Sequence, residues 1–390
     1  MKRIFLLLLV AALILSSLVG CTGKETAQDS DSVEVAEESG ENETEKSSEE
    51  IPKFRIGWNN ELHTGNMHLA FERPDLFENN EIYLRPISNQ QLELVKDGQV
   101  IAIFEFTLVK GASESVTLMT QGHMDIAFGS STAYMTAADQ GLDVRILCPV
   151  QSGGVSIVAD IDAEYDTFEE LVEYAKNTEK PILAGYHSAV SSPRIVLEYA
   201  LKDAGVKVTE DTSDFEADVV MIDLKGLSNL IPSLSSGQVE LWAGPVPHPQ
   251  NAEAQGIGKI IATLDELPGG KWVDFPCCTM NVHNDVIENY PEVVEALLQA
   301  TTDIHNFAQN NREETAEALA GFMGLDKEVL LNNNTTYSTQ VNENFINGMK
   351  IYYEAMTEMG KFSGEFAGKD FDEIKDRVFD FSFIEKISGK

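Results

Sequence analysis

From Phe54 onward, apolar runs of strand length alternate with longer stretches of helical period, and the alternation is broken twice. Strand-length runs lie at 54–58, 82–87, 124–128, 144–150, 155–159, 180–184, 219–222 and 238–242. Helical spacing is found at 66–77, 114–121, 167–177, 193–204 and 227–235. A parallel strand pair needs a crossover of about a dozen residues, which a helix supplies, so this order implies α/β domains with mainly parallel sheets. The breaks are Ser152-Gly153-Gly154 and the Pro-rich 244–249 (GPVPHP). A chain that leaves one domain at the first break and returns at the second makes two crossings side by side. That is the arrangement of a hinge beside a cleft. The expected lobes are 51–151 with 247–390, a discontinuous first lobe, and 152–246, the second. Two further strands are expected at 259–263 and 279–282. After these the chain is mainly helical (293–310, 312–323, 341–359), and a Phe-rich tail, 362–384, is expected to pack back on the body.

Local signals refine the pattern. Asp97-Gly98 stands between two strand-like runs and reads as a hairpin turn. Thr167 with Glu170 three residues on reads as a capping box, and Pro193 falls in the first turn of its helix, where it is tolerated. Pro74 is expected to shorten or kink the helix begun at 66.

The N-terminus has a different character. Lys2 and Arg3 precede an apolar run from Ile4 to Leu15, and Leu18-Val19-Gly20-Cys21 follows. A basic start, an apolar core and small residues before a boundary make an export signal. Leu-x-Gly-Cys resembles a lipobox, so 1–21 is expected to be a lipoprotein leader with Cys21 as the lipidated residue. Residues 22–50 carry eleven acids against two lysines and no apolar period. Such a segment buries too little apolar surface to order itself and is expected to be a disordered tether. The formal charge of −36 splits into +2 for the leader, −9 for the acidic segment and −29 for the remainder. So acidic a body argues against nucleic acid and anionic lipid surfaces as partners. Setting Cys21 aside leaves Cys148, Cys277 and Cys278, an odd number that gives no disulfide framework. Cys277 and Cys278 are read as core residues pointing to opposite sides of a strand.

Two Gly/Ser turns follow strands. Gly129-Ser130-Ser131-Thr132 precedes an Ala/Met/Tyr-rich helix, and 185–192 (GYHSAVSS) precedes another. Such turns leave backbone N–H groups and hydroxyls at a helix start, suited to a small polar or anionic ligand, although a serine there also caps a helix for stability alone.

In this order the segments resemble a known family. The points of similarity are the lipobox, Gly57-Trp58 ending the first strand, 118–127 (LMTQGHMDIA), 141–146 (GLDVRI), 237–242 (GQVELW) before a Pro-rich crossing, and the helices within 291–318. The chain resembles extracytoplasmic solute-binding proteins of ATP-driven importers, in particular the nitrate/sulfonate/taurine and thiamine-precursor-like group, over 53–335. The resemblance implies a two-lobed periplasmic-binding-protein type II fold that closes on a small solute and docks on a membrane permease with a cytoplasmic ATPase. It implies a monomer outside the cell membrane, held there by the lipid on Cys21. Ser130, Ser131 and Thr132 map onto the first-lobe ligand turn, and Tyr186, His187, Ser188 and Ser191 onto the second. Asn59 and His63 follow the first strand, where such folds place ligands. His68, a helical turn further on, and Trp242 and Pro245 at the second crossing complete the candidates, although His68 also fits a core edge and Trp242 hinge packing. The expected ligand is a small oxyanion such as a sulfonate. A transition metal, a pyrimidine or a sensing role without transport are the alternatives. His63, His68, His187, His248 and the Cys pair are suitable metal donors, but their spacing matches no zinc pattern, and no metal site is assigned. Phe275-Pro-Cys-Cys-Thr279 partly resembles a Cys-rich motif of a pyrimidine synthase on the thiamine-precursor branch, but two Cys fall short of it. With no G-x-S-x-G and no P-loop, neither enzyme activity nor a cofactor is expected.

Overall fold

The computed structural model describes residues 50–389. The leader, Cys21 and the acidic segment up to 49 lie outside the described residues. The strands are β1 (Lys53–Asn59), β2 (Ile82–Ser88), β3 (Gln91–Lys96), β4 (Gln99–Val109), β5 (Ile126–Ser130), β6 (Val144–Pro149), β7 (Gln151–Ser152), β8 (Val155–Asp160), β9 (Ile182–Tyr186), β10 (Val208–Thr209), β11 (Val219–Asp223), β12 (Leu241–Pro245), β13 (Gly258–Thr263), β14 (Cys278–His283) and β15 (Thr336–Tyr337). They form a seven-stranded sheet, β2-β3-β4-β1-β5-β14-β6, and a six-stranded sheet, β10-β11-β9-β12-β8-β13. A small antiparallel pair joins β7, in the first passage between the sheets, to β15, after the last strand of the first sheet.

Helices cover the sheets, so central strands are buried on both sides. All five residues of β5 are buried, which explains its unalternating apolar sequence. Both sheets are mixed. The expected mainly parallel arrangement holds for the second, with β10-β11, β11-β9 and β9-β12 parallel. In the first, only β4-β1 and β1-β5 are parallel. The cause is the β2-β3-β4 meander and the return strand β14, which runs antiparallel to both its neighbours. Asp97 and Gly98 adopt φ of 50° and 75°, the left-handed pair that a tight hairpin requires.

The Thr167 hydroxyl accepts from Glu170 N at 3.2 Å. The reciprocal bond lands one residue early, from Asp166 N to the Glu170 carboxylate. The sequence places the return crossing at 244–249, but the second sheet continues past it. β12 runs through Gly244 and Pro245, the prolines open a short helix (His248–Ala254), and β13 then pairs with β8. The chain re-enters the first sheet only at β14. A Pro/Gly break marks the end of a strand; it does not say which sheet the next strand joins. No helix among the described residues is long and apolar enough to cross a membrane.

The Phe-rich tail packs on the first sheet's helices, with Phe362, Phe366, Phe371 and Phe379 buried. One carboxylate pins it. Asp139, buried at the end of the helix Ser131–Asp139, accepts backbone N–H bonds from Ser363 (3.1 Å), Gly364 (3.0 Å) and Phe366 (2.8 Å). Asp139→Ala would leave these donors without their acceptor. The expected loss is about 3 kcal/mol of unfolding free energy, read by urea denaturation. A loss below about 0.5 kcal/mol would show that the tail is held by its aromatic packing alone.

Candidate ligand-binding cleft

The polar side chains of the cleft sit at the carboxyl ends of β1 and β5 in the first sheet and of β9 in the second. After β1 the turn is built on Glu61. Its carboxylate accepts from His63 N (2.6 Å) and from the Thr64 hydroxyl (2.7 Å), and that hydroxyl accepts from Asn59 N (3.1 Å). Ser130 stands at the N-cap position after β5, but its side chain caps nothing. Its Oγ lies 2.8 Å from Thr132 Oγ1 and 2.8 Å from Ser192 Oγ, and it accepts from Ser192 N at 2.9 Å. Thr132 donates to Val190 O at 2.6 Å. The first-lobe turn therefore spends the Ser130 and Thr132 hydroxyls on the second-lobe turn. Further bonds join the same faces: Ser113 Oγ to Ser188 Oγ (2.6 Å), Leu62 N to Val246 O (3.1 Å), and His63 Nε2 to Gly154 O (2.9 Å).

Several buried polar atoms near this contact have no hydrogen-bond partner among the described residues: Asn59 Oδ1, Asn60 Oδ1, Ser131 Oγ, His187 Nδ1, His248 Nε2 and Tyr352 Oη. Buried polar groups are nearly always satisfied, so such a group of atoms needs an explanation. His187 is pushed down to about 3, first by burial and then by repulsion from His248 and His63. His248 is pushed down to about 4 by burial and by His63. Both imidazoles are neutral at pH 7, each with one N–H donor and one acceptor. These two side chains thus face the site as neutral dipoles. At its outer edge a cavity of about 410 Å³ is lined from both lobes, by Lys110, Ser113 and Glu114 on one side and by His187, Ser188, Asp223 and Lys225 on the other.

The structure brings Asn59, His63, Ser130, Ser131, Thr132, His187 and Ser188 to this contact. Ser191 closes its own turn, donating to Ser188 O. Tyr186 lies beneath the Arg194 guanidinium, 4.7 Å from ring centroid to Cζ. Pro245 pairs with Val155 beside the Val246 N to Gly154 O bond, at the lobe crossing. Two candidates lie in cores instead. His68 stacks on Phe322 at 3.6 Å among Trp58, Phe71 and Phe106, and burial pushes it down to about 4. Trp242 is fully buried among Val158, Leu224, Leu230 and Leu234, on the far side of the second sheet's strand.

The Cys pair corrects a sequence expectation. Cys277 and Cys278 do not point apart; their Sγ atoms are 3.8 Å from one another. Cys277 precedes the first residue of β14, so the strand pleat does not govern it. The hydrogen bond from Cys278, with His63 nearby, draws the Cys277 thiol down against the opposing effect of burial. Cys278 is pushed up by that same bond and by burial. For His63, burial opposes charge but is outweighed by Cys277, Glu61 and Gly154, and its pKa is raised. Ser192, Ser113 and Tyr352 were not singled out from sequence, and Gly154 was singled out only as part of the first chain break. Of the first three, only Ser192 had a signal, as the second serine of the Ser-Ser pair.

The depressed histidines set a pH dependence. Between about pH 6.5 and 4 the unfolded chain takes up protons that buried, neutral His187 does not. Stability is therefore full above pH 6.5 and falls as the pH drops. From pH 6.5 to 5, wild type is expected to lose about 1.5 kcal/mol more than His187→Gln. Equal losses in urea titrations at both pH values would contradict a buried neutral His187.

Residues 49–323 match the model of the NMT1-like family. No curated protein matches the chain. Many solved structures share its fold. The alkanesulfonate-binding protein SsuA of Xanthomonas axonopodis pv. citri, bound to MOPS, is 14% identical with a TM-score of 0.60, over 80% of this chain and 94% of that one. The periplasmic nitrate-binding protein NrtA of Synechocystis PCC 6803 is 15% identical with a TM-score of 0.66, over 87% and 89%. The ligand-binding component of an ABC-type import system from Staphylococcus aureus, with zinc bound, is 15% identical with a TM-score of 0.63, over 86% and 98%. The fold is the two-lobed fold of periplasmic binding proteins.

Proposed function

The chain belongs to the NMT1-like family, and on that premise we propose that it is the solute-capturing component of an ABC importer rather than an enzyme. It takes a small solute between its lobes and delivers it to a permease driven by a cytoplasmic ATPase. The leader and Cys21 make it a lipoprotein, held by lipid at the outer face of the cell membrane with residues 22–50 as its tether, and it acts as a monomer. We assign the hinge to 150–154 and 264–277, where the chain passes between the two sheets.

One observation carries the reading. Polar atoms of both lobes, Asn59 Oδ1 and Ser131 Oγ from one and His187 Nδ1 from the other, are buried near the lobe contact without partners. A solute that supplies those partners binds only when the lobes meet, and such differential contact shifts an open-to-closed equilibrium. The solute is a small oxyanion such as a sulfonate, held by hydroxyl and imidazole dipoles and led in past Lys110 and Lys225 at the cavity's edge. The neutral His187 and His248 also favour a second reading, a neutral polar heterocycle such as a pyrimidine.

A thermal-shift screen of the full chain against short alkanesulfonates, nitrate and aminopyrimidines separates these readings. A true solute at about 100 times its Kd stabilises by about 2.7 kcal/mol. For the solute so found, Ser131→Ala combined with His187→Ala is expected to weaken binding by about 1–3 kcal/mol, roughly 5- to 150-fold. An unchanged Kd in a folded double variant removes both residues from the site.

A further inference from the structure

Beside the cleft, three groups with metal-binding chemistry are brought together by the fold. His63, from the turn after β1, and Cys277 and Cys278, from the return into β14, are all buried. One ligand atom of each lies within 4.8 Å of the other two. The Sγ atoms are 3.8 Å apart, and His63 Nδ1 is 3.9 Å from Cys278 Sγ. A cation with metal–sulfur bonds of about 2.3 Å and a metal–nitrogen bond of about 2.0 Å spaces its sulfurs about 3.8–4.0 Å apart. The same cation spaces nitrogen and sulfur about 3.5–3.8 Å apart, from tetrahedral to trigonal geometry. The Sγ–Sγ separation falls on that edge length, the Nδ1–Sγ separation to Cys278 is about 0.1 Å longer than it, and the third separation is within 4.8 Å, so small side-chain adjustments would seat the ion.

The surroundings hold the donors in that pose. His63 Nε2 lies 2.9 Å from Gly154 O, so its N–H donates there and the lone pair remains on Nδ1, on the side of the thiols. A metal-bound imidazole almost always donates its second N–H to a carbonyl or carboxylate in this way. Gly154 is the residue that permits the approach. Its φ is +70°, and a Cβ there would overlap the Thr335 hydroxyl and lie 2.8 Å from His63 Nε2. The Cys backbone is fixed by one side chain and its own main chain: Gln151 Oε1 accepts from Cys278 N (2.9 Å) and Gln151 O from Cys277 N (3.3 Å). Gln151 is itself anchored on Gly153 O at 2.7 Å.

We propose that His63, Cys277 and Cys278 form a binding site for one thiophilic d10 cation, Zn(II) or Cu(I), at the root of the hinge. Two thiols and one imidazole are the soft set that selects such ions over Mg(II) or Ca(II). Three protein donors complete a trigonal Cu(I) site, or leave a Zn(II) ion one position for an outside ligand. The bound ion ties the β1 turn to the return strand, and through Gly154 to the crossing segment. The site stands whichever solute the cleft takes.

The test uses the full chain, reduced and stripped with a chelator, then titrated with Co(II) as the optical probe and with Zn(II) and Cu(I) against chromophoric chelators. The expected result is one equivalent per chain, with a thiolate-to-cobalt charge-transfer band that Zn(II) abolishes. His63→Gln and Cys278→Ser are each expected to weaken binding at least tenfold, and His123→Gln, an exposed histidine elsewhere, to leave it unchanged. No charge-transfer band, or equal uptake by a folded Cys277→Ser/Cys278→Ser variant, overturns the site. Should the variants not fold, maleimide labelling of wild type in mild urea decides. Zn(II) is expected to protect Cys277 and Cys278 and not Cys148. Equal protection of all three reports general stabilisation and overturns the site.

Discussion

The structure depends on one strand. β14 returns from the second lobe and inserts between β5 and β6, antiparallel to both. It is fastened there by polar side chains that satisfy one another: Asn281 Nδ2 donates to Ala127 O and Thr279 O, and Thr279 Oγ1 to Asn281 Oδ1. Because β14 lies beside β6, the outgoing and returning crossings run side by side, and an isolated bridge joins Ser152 to Pro276. The register then sets the chemistry. Cys278 pairs with Ser130, and Cys277 O accepts from Ser131 N, so the turn after β5, the thiols and the returning crossing are neighbours. Slipping this strand by one residue would turn Cys278, Thr279 and Asn281 to the other face.

That geometry reconciles an acidic body with the oxyanion ligand proposed for it. Net charge acts over long distances and is screened by salt within about 10 Å. Binding inside a closed cleft is governed by hydroxyls, amides and neutral imidazoles that need no counter-charge. Burial keeps His187 and His248 neutral, which removes the cost of an enclosed cation when no solute is bound. The same burial makes unpartnered polar atoms expensive, so a closed cleft is favoured chiefly when a solute completes their bonds.

Much of this was legible in the sequence where the signal is local. Asp97-Gly98 declares its turn because few residues accept left-handed φ at both positions. The Thr167 cap and the two Gly/Ser turns follow from strand and helix ends. What failed was long-range. Nothing in 244–249 reveals that β13 still belongs to the second sheet, since strand patterning is silent on partners. His68 and Trp242 carry polar atoms on large apolar bodies, and packing decided their fate, among aromatics for His68 and among aliphatic side chains for Trp242. The Cys pair was misread because pleat alternation was applied one residue before the strand begins. Its meeting with His63, some 215 positions away in sequence, has no trace in spacing.

The central claim is that the lobes close on a solute held between Ser131 and His187. The most direct measurement is the distance between spin labels at exposed Glu78 in the first lobe and Phe215 in the second, by double electron–electron resonance. With the solute that most stabilises the fold, the account predicts a shift from a longer, broader distribution to a single shorter distance. That shift should be lost in the Ser131→Ala/His187→Ala variant at the same solute concentration. An identical distribution with and without solute would contradict it.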